Sequence, residues 1–155
     1  MEFRTAAAII GVAIVFIYAI GSGIWVNSSP GWYASLNRPS WQPPSFIFGL
    51  IWPYNFVVLG VAAVNISQRL SATLVITYLS IFAITVACAL VWAYQFYRPH
   101  NLSAASTALT LVAVLTLPLL VIAYKSSPGI FALLIPYQLW VATAATLSWS
   151  YAKLN

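Results

Sequence analysis

Residues 32–52 read Trp32-Tyr-Ala-Ser-Leu-Asn-Arg-Pro-Ser-Trp-Gln-Pro-Pro-Ser-Phe-Ile-Phe-Gly-Leu-Ile-Trp52, and the composition of this stretch suits neither a flexible linker nor a buried helix. It holds Trp32, Trp41 and Trp52, with Trp25 just before it, around Pro39, Pro43 and Pro44. Each proline fixes its own φ and pushes the preceding residue towards extended or turn geometry, so residues 38–44 form a stiff crossing with little backbone freedom to lose on ordering. A stiff, ring-rich loop is costly to leave in water. Apolar helical segments flank it on both sides, which places it at the mouth of a helix bundle, with its half-polar rings at headgroup level. It is a candidate lid or wall over a site.

The rest of the chain fixes the compartment. Of 155 residues, 63% are hydrophobic and 5% are Asp, Glu, Lys or Arg, against roughly 25% charged in a soluble domain. This composition is that of an integral membrane protein. The formal charge of +5 comes from six scattered Lys and Arg against Glu2 alone, and without a basic cluster nucleic acid is not a partner. Cys88 is the single cysteine and lies in an apolar run, so no internal disulfide and no cysteine-rich metal site forms. A retained first helix is expected rather than a signal peptide, because further membrane-length segments follow.

Helices are expected at about 5–26, 45–66, 72–97, 102–124 and 130–153, each long enough to cross a hydrocarbon layer of about 30 Å. Together they make an all-α bundle of five transmembrane helices, a single transmembrane domain over 1–155 with a long ordered loop between the first two. In the first helix Ala7, Gly11 and Val15 recur at i+4 and make a narrow face for close helix approach. The second helix starts near Ser45, whose hydroxyl is a candidate cap, and carries Pro53, which bends it or frees a carbonyl beside Trp52, Asn55 and Phe56. In the third, Tyr78, Phe82, Thr85, Ala89, Trp92 and Phe96 share one face, a pattern that serves ordinary packing as well as a ligand wall. The fourth shows little chemistry beyond Pro118 and supports the bundle. The fifth aligns Pro136, Trp140, Ala144, Leu147 and Tyr151, with Ala144 leaving space beside Trp140. Arg4, Arg69 and Lys125 fall on one side of the membrane and Arg38, Arg98 and Lys153 on the other, so charge bias does not set the orientation.

No span has an ionisable Asp, Glu, Lys or Arg at its centre, which argues against a proton-coupled pump or ion channel. With Glu2 as the sole acidic side chain, paired carboxylates and a Ser-His-Asp triad are excluded within one chain. Cys88 and His100 stand too differently placed, one inside a helix and the other in a turn, to act as a nucleophilic pair. What remains is a cavity with aromatic walls, suited to a large, flat, mostly apolar molecule oriented by a few polar groups.

The chain resembles the tryptophan-rich sensory protein family, whose animal members are called translocator protein or peripheral benzodiazepine receptor. The resemblance spans essentially the whole chain. It is carried by Trp32, Tyr33, Leu36, Arg38, Pro39, Trp41, Pro43, Pro44, Phe48 and Trp52, and by Pro136, Tyr137, Trp140, Ala144 and Leu147 followed by Leu154 and Asn155. It implies a homodimer in the lipid bilayer that binds porphyrins such as protoporphyrin IX and haem, synthetic drugs and, in some members, sterol. The membrane implied is the cell or outer membrane in a bacterium and the mitochondrial outer membrane in a eukaryote. No resident metal or cofactor is required, porphyrin or haem being ligand.

The resemblance places Trp32, Tyr33, Pro43 and Trp52 on the loop side of a pocket and Trp140 and Ala144 on the fifth-helix side. Thr85 and Cys88 stand where relatives commonly carry an asparagine and an aromatic, and Phe56 where a tyrosine is common. Trp52 and Trp140 match the residues that the family links to light-dependent porphyrin degradation. Receptor and photo-oxidising enzyme are therefore both open readings, and a structural protein with interfacial tryptophans is the third. Leu147, Tyr151 and Lys153 also satisfy a loose sterol-contact pattern, although interfacial anchoring gives the same residues.

Overall fold

The computed structural model describes residues 2–155 and contains six helices among them. These are α1 (Phe3–Val26), α2 (Pro30–Ser35), α3 (Ser45–Arg69), α4 (Ala72–Tyr97), α5 (Leu102–Ser126) and α6 (Pro128–Leu154). All but α2 are long and apolar enough to cross a membrane, so the fold is the expected all-α integral membrane bundle of five spans. Its outer surface is inverted relative to a soluble protein. Ile9, Phe16, Ile17, Ile20 and Ile24 of α1 and Leu50, Val57 and Val61 of α3 are exposed, as helices solvated by lipid require.

The connections are tighter than the sequence suggests. Only Ser127 separates α5 from α6, because its hydroxyl accepts from Gly129 N–H at 3.2 Å while Pro128 takes the first helical position, where its missing N–H costs nothing. Leu70 and Ser71 alone join α3 to α4. The breaker cluster 27–31 gives rise to the short helix α2, again with its proline at the start. At the other end α3 begins after Pro44 with no side-chain cap, so the Ser45 hydroxyl does not play the capping role expected of it. The helix runs unbroken through Pro53.

The spans close into a ring in the order α1, α3, α6, α5, α4, each packed on the next and α4 packed back on α1. The sequence neighbours α3 and α4 touch little, because α1 packs against both. The small-residue face of α1 permits this. Ala7, Gly11 and Val15 are buried, and a Cβ on Gly11 would stand 2.6 Å from Ala63 Cβ of α3. Inside the ring Tyr18, Tyr78, Phe82 and Tyr137 are fully buried, and the Tyr137 hydroxyl donates to that of Tyr18 at 3.4 Å. Near the α3–α4 turn, Ser126 of α5 donates to Asn65 of α3.

Candidate functional site

Above Tyr18 the ring opens into a cavity of about 530 Å³, within the range of small-molecule sites. Its floor is aromatic. Tyr18 meets Trp52 and Phe56 edge to face, at 6.0 and 5.3 Å between ring centroids. Trp52 in turn meets Trp140 at 6.5 Å with planes at 90°, and Phe48 packs on Trp140 at 5.0 Å. The α3 residues Phe48, Trp52 and Phe56 fall one helical turn apart, so a single stripe of that helix makes one wall. On α6, Trp140, Ala144, Leu147, Ser148 and Tyr151 make the facing wall. The wall from α4 is Trp92 and Phe96, the upper end of the aromatic stripe seen in sequence, with Tyr97 beside them, while Tyr78 and Phe82 at its lower end are core. Small residues of α1, including Ala19, Ser22 and Gly23, leave the room that the rings enclose.

The loop closes the top and is held at three places. Trp32 lies flat on His100, 3.8 Å between ring centres and 8° between planes. His100 is the one non-glycine with positive φ among the described residues, at 59°, a conformation histidine tolerates better than most, and it turns the chain between α4 and α5. Asn37 N–H donates to Asn155 Oδ1 at 2.9 Å, and Asn155 Nδ2 donates back to Asn37 O at 3.3 Å. The Tyr151 hydroxyl donates to Gln42 Oε1 and lies 3.3 Å from the Tyr33 hydroxyl, to which Gln42 Nε2 donates at 3.5 Å. Each ring contact is worth about 0.5–1.5 kcal/mol beyond area burial, and several act together on a loop already restrained by its prolines.

The structure brings Tyr33, Trp52, Trp140 and Ala144 together on the cavity. Trp32 and Pro43 do not line it. Trp32 instead seals the roof from behind, edge-on to Phe96 and Tyr97. Thr85 is fully buried and donates to Ile81 O at 2.8 Å, and it lies outside the lining, as does the half-buried Cys88. Both sit too deep on α4, two turns or one below Trp92. Asn55 is also fully buried and off the lining, its amide without a partner among the described residues.

The sterol-contact trio is divided. Leu147 and Tyr151 face the cavity, at 6% and 2% exposure, whereas Lys153 is exposed, because two residues along a helix is a rotation of about 200°. Sequence reasoning did not assign Arg38, Gln42, Phe48 or Tyr97 to the site, although all line it, together with Phe56 beside the Pro53 position and Trp92 and Phe96 of the α4 stripe. Helical spacing from Trp52 and from Trp140 reaches Phe48, Phe56 and Tyr151, whereas nothing local marks Arg38 and Gln42.

Five apolar spans around an aromatic cavity, roofed by a latched loop, define an integral membrane protein with an aromatic-walled cavity inside its bundle. Residues 7–154 match the TspO/MBR family, and the chain belongs to it. It is 32% identical over 151 residues to the membrane protein YtaB of Bacillus subtilis, covering 95% of this chain and 97% of that one. It is 32% identical to the tryptophan-rich protein TspO of Bacillus cereus, over 80% of each chain. To the translocator protein of Homo sapiens it is 29% identical, over 88% of this chain and 82% of that one.

Proposed function

We propose that the protein is a membrane receptor for porphyrins, such as protoporphyrin IX or haem, or for flat hydrophobes of similar shape, acting in sensing, regulation or transport. The observation that carries this reading is the cavity under the latched loop, where Phe48, Trp52 and Phe56, stacked turn by turn on α3, and Trp140 of α6 present ring faces and edges. A flat macrocycle gains there from apolar area burial and ring packing, while the polar groups at the mouth orient its edge. Relatives bearing the names tryptophan-rich sensory protein, from Cereibacter sphaeroides, and translocator protein, from Homo sapiens, agree with a ligand-responsive role. In this reading the chain works as a homodimer in the bilayer. The test is titration of the purified protein with protoporphyrin IX, haem and sterol. Saturable tetrapyrrole binding, competed by unlabelled tetrapyrrole, supports the assignment, and its absence refutes it.

A second reading, light-dependent porphyrin degradation, is favoured by one further observation. Trp52 and Trp140 both line the cavity and touch each other, so a macrocycle bound there would lie against two indoles. An indole beside a light-excited macrocycle is placed to exchange an electron with it or to intercept reactive oxygen. Illuminated and dark samples of the same complex separate the readings: a new absorbing product only in the light means catalysis, and unchanged porphyrin means binding alone.

A further inference from the structure

The cavity is electrically one-sided. Of the side chains that line it, Arg38 alone is charged. It stands at the mouth on the closing loop, while the deeper end is Trp52, Phe56 and Trp140. Arg38 is exposed and enters no hydrogen bond or ion pair among the described residues, unlike its loop neighbours Asn37 and Gln42. No acidic side chain of this chain stands beside it. Glu2 is the only carboxylic side chain, and it precedes α1 at the opposite end of a 24-residue helix, a span of about 36 Å and several screening lengths away at physiological salt.

The neutral groups at the mouth lean the same way. Tyr151 donates to Gln42 Oε1, which engages one of the two lone pairs of that amide oxygen and turns it towards α6. What Gln42 keeps is its NH₂, held by a bond of 3.5 Å to Tyr33 that is long enough to be exchanged for a better acceptor. The mouth therefore offers a guanidinium with no acidic side chain beside it and an amide NH₂ held only by a long bond.

We propose that this mouth is an anion subsite with Arg38 as its determinant, so that the pocket selects flat apolar acids over neutral or cationic molecules of the same shape. The inference deepens the receptor reading and rests on it for the location of the ligand. The apolar body lies on the aromatic floor and the carboxylate points outward to Arg38, which spares the cost of carrying a charge into the apolar end. The guanidinium is the better partner than an ammonium because it meets a carboxylate with two parallel donors.

The experiment uses the full chain in phosphatidylcholine nanodiscs and two matched pairs of probes, protoporphyrin IX with its dimethyl ester and pyrenebutyric acid with its methyl ester. Acid and ester partition into the same bilayer in every sample, so the quantity read is the acid-to-ester affinity ratio of each variant relative to wild type. Arg38→Gln is expected to lower that ratio about tenfold, with ester affinity within twofold of wild type and thermal unfolding unchanged. Arg38→Lys is expected to recover part of the loss. Raising sodium chloride from 50 to 500 mM is expected to weaken binding of the acids and not of the esters.

An unchanged ratio in Arg38→Gln for both pairs overturns the subsite, whatever the absolute affinities. The two readings fail separately. If neither porphyrin binds but pyrenebutyrate shows the Arg38-dependent preference, the tetrapyrrole assignment falls and the anion subsite stands; if no acid binds at all, the subsite falls with it.

Discussion

Asn37 of the loop and Asn155 beyond α6 clasp each other through their backbone and amide groups, although 118 residues separate them in the chain. The clasp ties the roof of the cavity to the same helix that supplies Trp140 and Tyr151. Loop opening must break this pair together with the Gln42–Tyr151 bond and the Trp32–His100 stack.

Loosening the clasp is expected to raise exchange in the loop without unfolding the bundle. Asn155→Ala removes three side-chain hydrogen bonds, two with Asn37 and one to Tyr151 O, each worth about 0.5–1.5 kcal/mol. Amide hydrogen exchange between Ala34 and Gln42 should rise severalfold, while the centre of α5 stays protected. Porphyrin added to the wild-type protein should lower exchange over Ala34–Asn37. A loop whose exchange responds to neither change is not a lid.

Space beside Trp140 is the second requirement of the site. Ala144 lines the cavity on α6, one turn from Trp140, and a phenyl group there fills volume that the ligand needs. Ala144→Phe is expected to weaken protoporphyrin IX binding at least tenfold, about 1.4 kcal/mol, in a protein that still folds. Fluorescence titration checks it, and unchanged affinity removes Ala144 from the site.

The two floor tryptophans separate binding from chemistry. Trp52→Phe and Trp140→Phe retain a ring at each position, so most of the packing and affinity should survive. The light-driven loss of porphyrin, followed by absorbance, should fall if degradation is the function. Photoproduct formation that both variants retain would sink the assignment of these two residues as catalytic.

The contact between α1 and α3 predicts a stability effect remote from the site. Gly11→Ala puts a methyl group 2.6 Å from Ala63 Cβ, and overpacking of this kind costs about 1–3 kcal/mol. Gly60→Ala is the control, because no atom lies within 4 Å of the added carbon. Thermal unfolding in detergent should fall for the first and hold for the second.

How much of this was legible in the sequence follows from the range of the forces concerned. The five spans were readable because length and apolarity in lipid are local properties, and the α6 wall because helical periodicity carries Trp140 to Ala144, Leu147 and Tyr151. The path of the loop was not. Its position is set by contacts such as Asn37 with Asn155 and Trp32 with His100, and no local signal tells which side of a six-residue helix faces the cavity. Trp32 was therefore expected in the lining and lies behind it, while Arg38 and Gln42 were overlooked. Thr85 shows the limit of periodicity: it is on the right face of α4 but below the floor.

Tyr151 is where the sterol pattern and the structure part. The pattern treats Leu147, Tyr151 and Lys153 as one surface turned towards the bilayer. In the fold the Tyr151 ring is 2% exposed, packed edge-on against Phe96 at 5.9 Å and tilted at 42° against Tyr33 at 5.8 Å, and its hydroxyl holds Gln42. Tyr151→Phe keeps the ring and deletes the hydroxyl, which leaves the Gln42 carbonyl without that donor and frees the amide to turn. Porphyrin affinity is expected to fall three- to tenfold and exchange to rise around Trp41 and Gln42. Lys153→Leu alters an exposed side chain and should change neither. A photoactive sterol arriving from the bilayer should label the Lys153 face, with labelling at Tyr151 no greater in wild type than in Tyr151→Phe. Strong, competable labelling at Tyr151 would instead mean that sterol enters the cavity itself, and the aromatic floor would then have to be read as a sterol site.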